Sequence, residues 1–313
     1  GYKMKIGQKK ISRDSKPFII AELSANHNQS LKRALELVKK AAISGADAIK
    51  LQTYTADTMT FDIDSEEFMI RDESSPWNGR HMHDLYDEAH TPWEWHEEIF
   101  NYAASLNLIA FSSPFDDTAV DFLESLNVPM YKIASPEIFD IQLLKKVAST
   151  GKPVILSTGL ARLDDIELAI ETLKNNGCVD IVLLKCSTSY PLPYEEVNLN
   201  TMVDFKEKFD VIVGLSDHTI GIAIPLAAVS MGANVIEKHI VFENEETVDS
   251  FFSLKTNEFK LMVQEIRNIE KSFGEINYDL SKSVKKNDWA KRSLYFHKNV
   301  KKGEKIKGCY KSV

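Results

Sequence analysis

Eight short apolar runs, rich in β-branched residues and each ending in polar ones, recur along the chain: FIIAELS (18–24), DAIKLQT (47–53), LIAFSSP (108–114), MYKIAS (130–135), PVILSTG (153–159), IVLLKCS (181–187), VIVGLSD (211–217) and VIEKHI (235–240). Segments of helical spacing separate them. In SLKRALELVKKAAISG (30–45), Leu31, Ala34, Leu35, Val38 and Ala42 share one face and Gly45 supplies a stop. Similar patterns predict helices over 93–106, 116–125, 140–149, 163–175, 219–231 and 257–273. Strands joined through helices pair in parallel, and a count of eight predicts a closed (β/α)8 TIM barrel, an α/β fold that 313 residues can accommodate. An open doubly wound sheet is the competing fold. It usually carries a glycine-rich turn after its first strand, whereas ANHNQS follows FIIAELS here.

Charge narrows the partners. A net charge of −8, with acids and bases intermixed, argues against nucleic acid. No apolar run approaches the ~20 residues of a membrane span, and GYKMKIGQKKISRDSK lacks a signal-peptide core, so a cytoplasmic protein without membrane attachment is expected. Cys178, Cys186 and Cys309 are odd in number and form no CxxC pair, which predicts reduced thiols; Cys186 reads as a packed thiol.

In a barrel of this kind the functional groups lie at the C-terminal strand ends. That rule places Glu22, Lys50, Gln52, Ser112, Ser113, Lys132, Ser135, Ser157, Thr158, Ser187, Thr188, Ser216, Asp217, His218, Glu237 and His239 around one mouth. Two lysines among hydroxyls suit a phosphate or carboxylate. His218 and His239 end adjacent strands and could share a divalent ion with open positions, or could be ordinary hydrogen-bonded residues. The lysines could equally form ion pairs with Glu22 or Glu137. Lys238 should point toward the helices, and Glu237 is expected to support His239. The 54–91 connection is far longer than a usual βα loop and is expected to cover the mouth, with room for a short helix. HMH (81–83) within it reads as loop surface.

With these residues placed, FIIAELSANH, DAIKLQTYTAD, FSSPF, YKIAS, STG, LKCSTSYP, GLSDHTIG, GANVIEKH and DSFFSL together resemble the sialic acid (nonulosonic acid) synthase family, in family order over residues 16 to 255. QTYTAD and WNGRHMHDLYDEAHTPWEWH resemble its pseudaminic acid branch more than its N-acetylneuraminate or legionaminic acid branches. The resemblance implies a transferase that condenses phosphoenolpyruvate with a 2-acetamido sugar aldehyde and releases phosphate. For the pseudaminic branch that sugar is 2,4-diacetamido-2,4,6-trideoxy-L-altrose. It implies Mn2+ or Mg2+ on His218 and His239, and phosphoenolpyruvate on Lys50, Ser113, Lys132, Ser135, Ser157, Thr188 and Ser216. Gln52, Tyr190 and Asp249 would orient the sugar, and Glu22 would join the two histidines in catalysis.

The family also implies a homodimer capped by a C-terminal antifreeze-like (SAF) domain that contributes an arginine. Here residues 1–275 read as the barrel, 276–292 as a polar linker and 293–313 as an incomplete opening of that domain. The expectation is donor and metal binding with weak turnover in this form. A metal-dependent aldolase and an inactive sugar-phosphate binding barrel are the competing functions.

Overall fold

The computed structural model describes residues 3–63 and 65–313. A hairpin of β1 (Lys3–Ile6) and β2 (Lys9–Ser12) comes first. The eight predicted runs follow as β3 (Phe18–Glu22), β4 (Ala48–Thr53), β5 (Ile109–Pro114), β6 (Tyr131–Ile133), β7 (Val154–Ser157), β8 (Ile181–Lys185), β9 (Ile212–Asp217) and β10 (Val235–Val241). All neighbours in this series are parallel, and β10 pairs with both β9 and β3, so the sheet closes: Val235 stands opposite Gly214 on one side and Phe18 on the other.

The predicted helices form as α1 (Leu31–Ile43), α4 (Trp93–Ser105), α5 (Asp117–Ser125), α6 (Ile141–Ala148), α7 (Leu163–Asn175), α9 (Ala223–Ser230) and α10 (Thr256–Phe273). The long connection holds two, α2 (Ala56–Met59) and α3 (Met82–Ala89), so HMH opens a helix and is not loop surface. A helix absent from the sequence reading, α8 (Leu199–Phe209), lies between β8 and β9.

Period-two alternation divides the core. Ile19, Ala21, Ile49, Leu51, Leu183 and Val213 pack outward against the helices, while Phe18, Ile20, Ala48, Phe111, Ile155, Val182 and Ile212 fill the barrel. Met4, Ile6 and Ile11 of the hairpin join that inner cluster. Lys238 lies outside the barrel wall as expected, fully buried, its ammonium donating to Asp217 and to the Thr219 carbonyl at 2.6 Å each. Removing either charge would strand the other without water.

Two compact units divide between Ser272 and Phe273. In the second, β12 (Leu294–Phe296) pairs antiparallel with β13 (Tyr310–Ser312), α11 (Lys282–Lys285) precedes them, and no residue is buried. The short β11 (Leu254–Lys255) belongs to the first unit, beside β10.

Candidate active site

The C-terminal strand ends meet at a cavity of about 380 Å³. Lys50, Gln52, Lys132, Ser135, Ser157, Tyr190, Ser216, His218, Glu237, His239 and Asp249 all line it. Three predicted residues stand back from its surface. Glu22 and Ser113 are fully buried, and Thr188 packs where a methyl added at Gly159 would lie 2.8 Å from its Cγ2. Ser112 and Asp217 face the helix side: Ser112 bonds Thr53 at 2.6 Å, and Asp217 is taken by Lys238. The Thr158 hydroxyl donates to the Leu184 carbonyl at 2.9 Å, and the Ser187 carbonyl is taken by His218.

Glu237 is the electrostatic centre. Its carboxylate lies 3.1 Å from Lys50 Nζ, accepts from Lys132 Nζ at 3.1 and 3.3 Å, and accepts from Ser216 Oγ at 3.0 Å. The sequence expectation that it supports His239 is therefore corrected: register sets Glu237 opposite Ser216, and it bonds lysines from β4 and β6 across the barrel. Burial opposes its ionisation, but Lys132 and Lys50 outweigh burial and hold it well below the ordinary carboxylate range. Of the pairings predicted for the lysines, Lys50 does approach Glu22, at 3.4 Å, without hydrogen-bond alignment, while Lys132 takes Glu237 rather than Glu137. Both Glu22 oxygens thus lack a hydrogen-bond partner, and burial, only partly offset by Lys50, pushes this carboxyl up to about 7.

The histidines fit a cation. Their ring centroids are 5.5 Å apart and both side chains are buried. His218 Nδ1 donates to the Ser187 carbonyl at 2.9 Å, so in the neutral ring Nε2 carries the lone pair; against burial, Cys186 and the Ser187 carbonyl raise the pKa of this ring, and a cation would have to displace its proton. His239 Nδ1 is buried without a partner, and burial together with His218 holds the ring well below its ordinary pKa, so it is a neutral donor. Beside them, burial alone would raise the Cys186 thiol, but His218, Lys132 and Ser135 draw it down to about 7. Cys186 is buried, as a packed thiol should be, and also adjoins the cavity.

Sequence reasoning missed several wall residues. Ser24, at φ +48°, gives its hydroxyl to the Asp249 carboxylate. Trp77 ties the long connection to the segment after β10: its indole donates to the Val248 carbonyl at 3.0 Å and its ring meets Tyr190 and Phe252 at 5.9 and 6.4 Å. Met82, Leu85, Tyr86 and Ala89, one face of α3, line the cavity; their spacing was readable in MHDLYDEA. Away from the cavity lining, Asp62, His83 and Asp84 bring ligand atoms within 4.8 Å of one another. His83 Nε2 bonds Asp57 at 2.8 Å and Nδ1 lies 3.7 Å from Asp62, an arrangement that raises its pKa and suits an imidazolium tying α2 to α3.

The sequence profile of the NeuB family matches residues 37–278. This chain belongs to the NeuB family. Among its NeuB-family relatives, the chain is similar to pseudaminic acid synthase of Campylobacter jejuni, with 45% identity over 96% of this chain and 87% of that protein. Pseudaminic acid synthase of Helicobacter pylori is 44% identical over 93% of this chain and 85% of its own. Among solved structures, N-acetylneuraminic acid synthetase from Leptospira borgpetersenii superposes with a TM-score of 0.79 at 30% identity, covering 91% of this chain and 94% of that one. The family resemblance read from the motifs is borne out, as is the barrel. Among the described residues, no helix is long and apolar enough to cross a membrane.

Proposed function

We propose that this chain is a pseudaminic acid synthase, a transferase that joins phosphoenolpyruvate to 2,4-diacetamido-2,4,6-trideoxy-L-altrose and releases phosphate. The observation that carries the reading is the pair of buried ammoniums, Lys50 and Lys132, among the hydroxyls of Ser135, Ser157 and Ser216 and beside two imidazoles. Similarity to two pseudaminic acid synthases at 44 and 45% identity supports the choice of acceptor.

In the reaction, the C2–C3 π pair of phosphoenolpyruvate bonds C3 to the aldehyde carbon while the carbonyl π pair moves onto its oxygen. Water adds at C2, the C2–O bond breaks with its electron pair leaving on phosphate, and the two protons of water end on the new sugar hydroxyl and on the phosphate. Lys50, Lys132 and the three serines bind the donor anion. Ser157 Oγ is buried without a partner and is free to donate. Ser113, whose hydroxyl is likewise unpartnered, and Thr188 support this shell from behind. His218 and His239 would hold a divalent cation, Mn2+ or Mg2+, which supplies Lewis-acid stabilisation of the aldehyde oxygen. Glu22, poised near neutrality behind Lys50, takes the proton that the attacking water gives up. Gln52, Tyr190 and Asp249 orient the sugar; the Tyr190 ring lies 4.5 Å from that of His218. The reading extends to a cytoplasmic homodimer and to residues 293–313 as the opening of an antifreeze-like domain.

Phosphate release from phosphoenolpyruvate with Mn2+ tests the assignment. Release is expected with the trideoxy sugar and not with N-acetylmannosamine, and either chelator or His239→Ala should abolish it. Equal or better turnover of N-acetylmannosamine overturns the acceptor, and pyruvate formation without phosphate release points to an aldolase.

A further inference from the structure

Helix α3 has an apolar face with nowhere in the core to go. Met82, Leu85, Tyr86 and Ala89 recur at i, i+3, i+4 and i+7, the spacing of a buried helical stripe. Yet none belongs to either hydrophobic cluster of the barrel, although Leu85 is only 8% exposed; all four line the active-site cavity. The outer face carries Asp84, Asp87 and Glu88, exposed to water, and His83 secures α3 to α2 through Asp57.

Neighbouring side chains extend the same surface. Tyr54 meets Tyr86 and Phe115 edge-on, with ring centroids at 5.7 and 5.3 Å, and Met59 of α2 adjoins the cavity. The cavity is therefore two-sided: ammoniums and hydroxyls on the barrel, and sulfur, aliphatic and aromatic surface on the long connection. One polar handle accompanies the apolar groups. Glu137 also lines the cavity, and its Oε2 is buried without a partner, as a group waiting for an amide would be.

We infer that the inner face of α3, with Tyr54, Met59 and Phe115, is the specificity wall for the acceptor, and that it selects a deoxygenated, N-acylated sugar through its methyl groups. An aliphatic and aromatic surface gains by covering methyls and loses when it strips water from a hydroxyl without returning a hydrogen bond. An N-acetylated sugar that is also 6-deoxy presents several methyls, whereas an ordinary N-acetylhexosamine presents one methyl and several hydroxyls. The inference rests on the synthase reading and adds to it the residues that read the sugar.

The test compares kcat/KM for the trideoxy diacetamido sugar with kcat/KM for N-acetylmannosamine, both measured on the same preparation of the full chain with Mn2+ and saturating phosphoenolpyruvate. The ratio is independent of the folded fraction, so a partly misfolded variant still reports. Met82→Gln and Met59→Gln keep side-chain length while adding a polar end at half-buried sites. Each should lower the ratio roughly tenfold, the scale of one or two methyl contacts in an apolar pocket. A fall of less than threefold in both variants, with the wild type preferring the trideoxy sugar, overturns the wall and leaves the synthase assignment standing. A wild type that prefers N-acetylmannosamine overturns both.

Discussion

Glu237 shows how one residue can decide the character of a site. Lys50, Lys132 and Glu237 are each no more than 3% exposed, and Glu22 is fully buried, so water screens them little. Glu237 stays ionised between the lysines while Glu22 titrates near 7, which leaves the group with more positive than negative charge and ready for an anion. Glu237→Gln removes the negative charge that offsets two buried ammoniums and should cost roughly 3–5 kcal/mol in urea unfolding. Under the proposed function, phosphoenolpyruvate would bring negative charge to the same place. The variant should therefore gain more in Tm from added phosphoenolpyruvate than the wild type does; an equal gain would separate the lysines from donor binding. The lysines and histidines themselves were legible, because period-two alternation fixes which strand-end side chains face inward. Their partner was not, because Lys132 on β6 meets Glu237 on β10 only once the barrel has closed.

At the scale of the element, the β9–β10 pair positions both imidazoles, since His218 follows β9 directly and His239 lies on β10. Gly214 lets these strands approach: a Cβ there would stand 2.2 Å from the Val235 carbonyl oxygen and 2.9 Å from Leu184 Cδ2. The first neighbour is backbone, so relief requires the strands to move apart. Gly214→Ala should cost about 1–3 kcal/mol, as overpacking does. It should also weaken Mn2+ binding, read by electron paramagnetic resonance of the free ion; undiminished affinity would mean the strands yield elsewhere. The sequence showed this pair through VIVGLSD and VIEKHI but hid other elements. Helix α8 begins after Asn198 and ends before Asp210, both in the left-handed region, and KEK near its end dilutes the apolar stripe of Met202 and Phe205. The β1–β2 hairpin was hidden for a different reason. Its strands are four residues each and lysine-rich, and Met4, Ile6 and Ile11 acquire meaning only when the base of a closed barrel is there to receive them.

Across the whole molecule, buried titratable groups set opposing responses to acid. His27 and His96 are completely buried and hydrogen-bonded to Thr91 at 3.0 Å and Thr53 at 2.9 Å; burial lowers each from 6.5 to about 4. The unfolded chain therefore binds protons at these sites before the native chain does, and stability falls as pH drops from 6.5 toward 4. Glu22 and Glu137 work in the other direction. Burial raises them from 4.5 to about 7 and about 8, so the native state takes protons first and gains stability as pH falls through those values toward 4.5. The contributions of His27 and His96 on one side and of Glu22 and Glu137 on the other are displaced by similar amounts in opposite senses, so between pH 7 and 5 these four largely offset one another. Replacing one member exposes the balance. His96→Gln costs hydrogen bonds at every pH but removes one acid-sensitive proton site. Relative to wild type it should therefore gain about 3 kcal/mol between pH 7 and 4.5, because each pH unit crossed between the unfolded and native pKa is worth about 1.4 kcal/mol. Urea unfolding at the two pH values reads this as a difference of differences, in which the lost hydrogen bonds cancel. A difference that stays constant with pH would mean that His96 titrates at the same pKa folded and unfolded, and that burial between α4 and β4 does not hold it neutral.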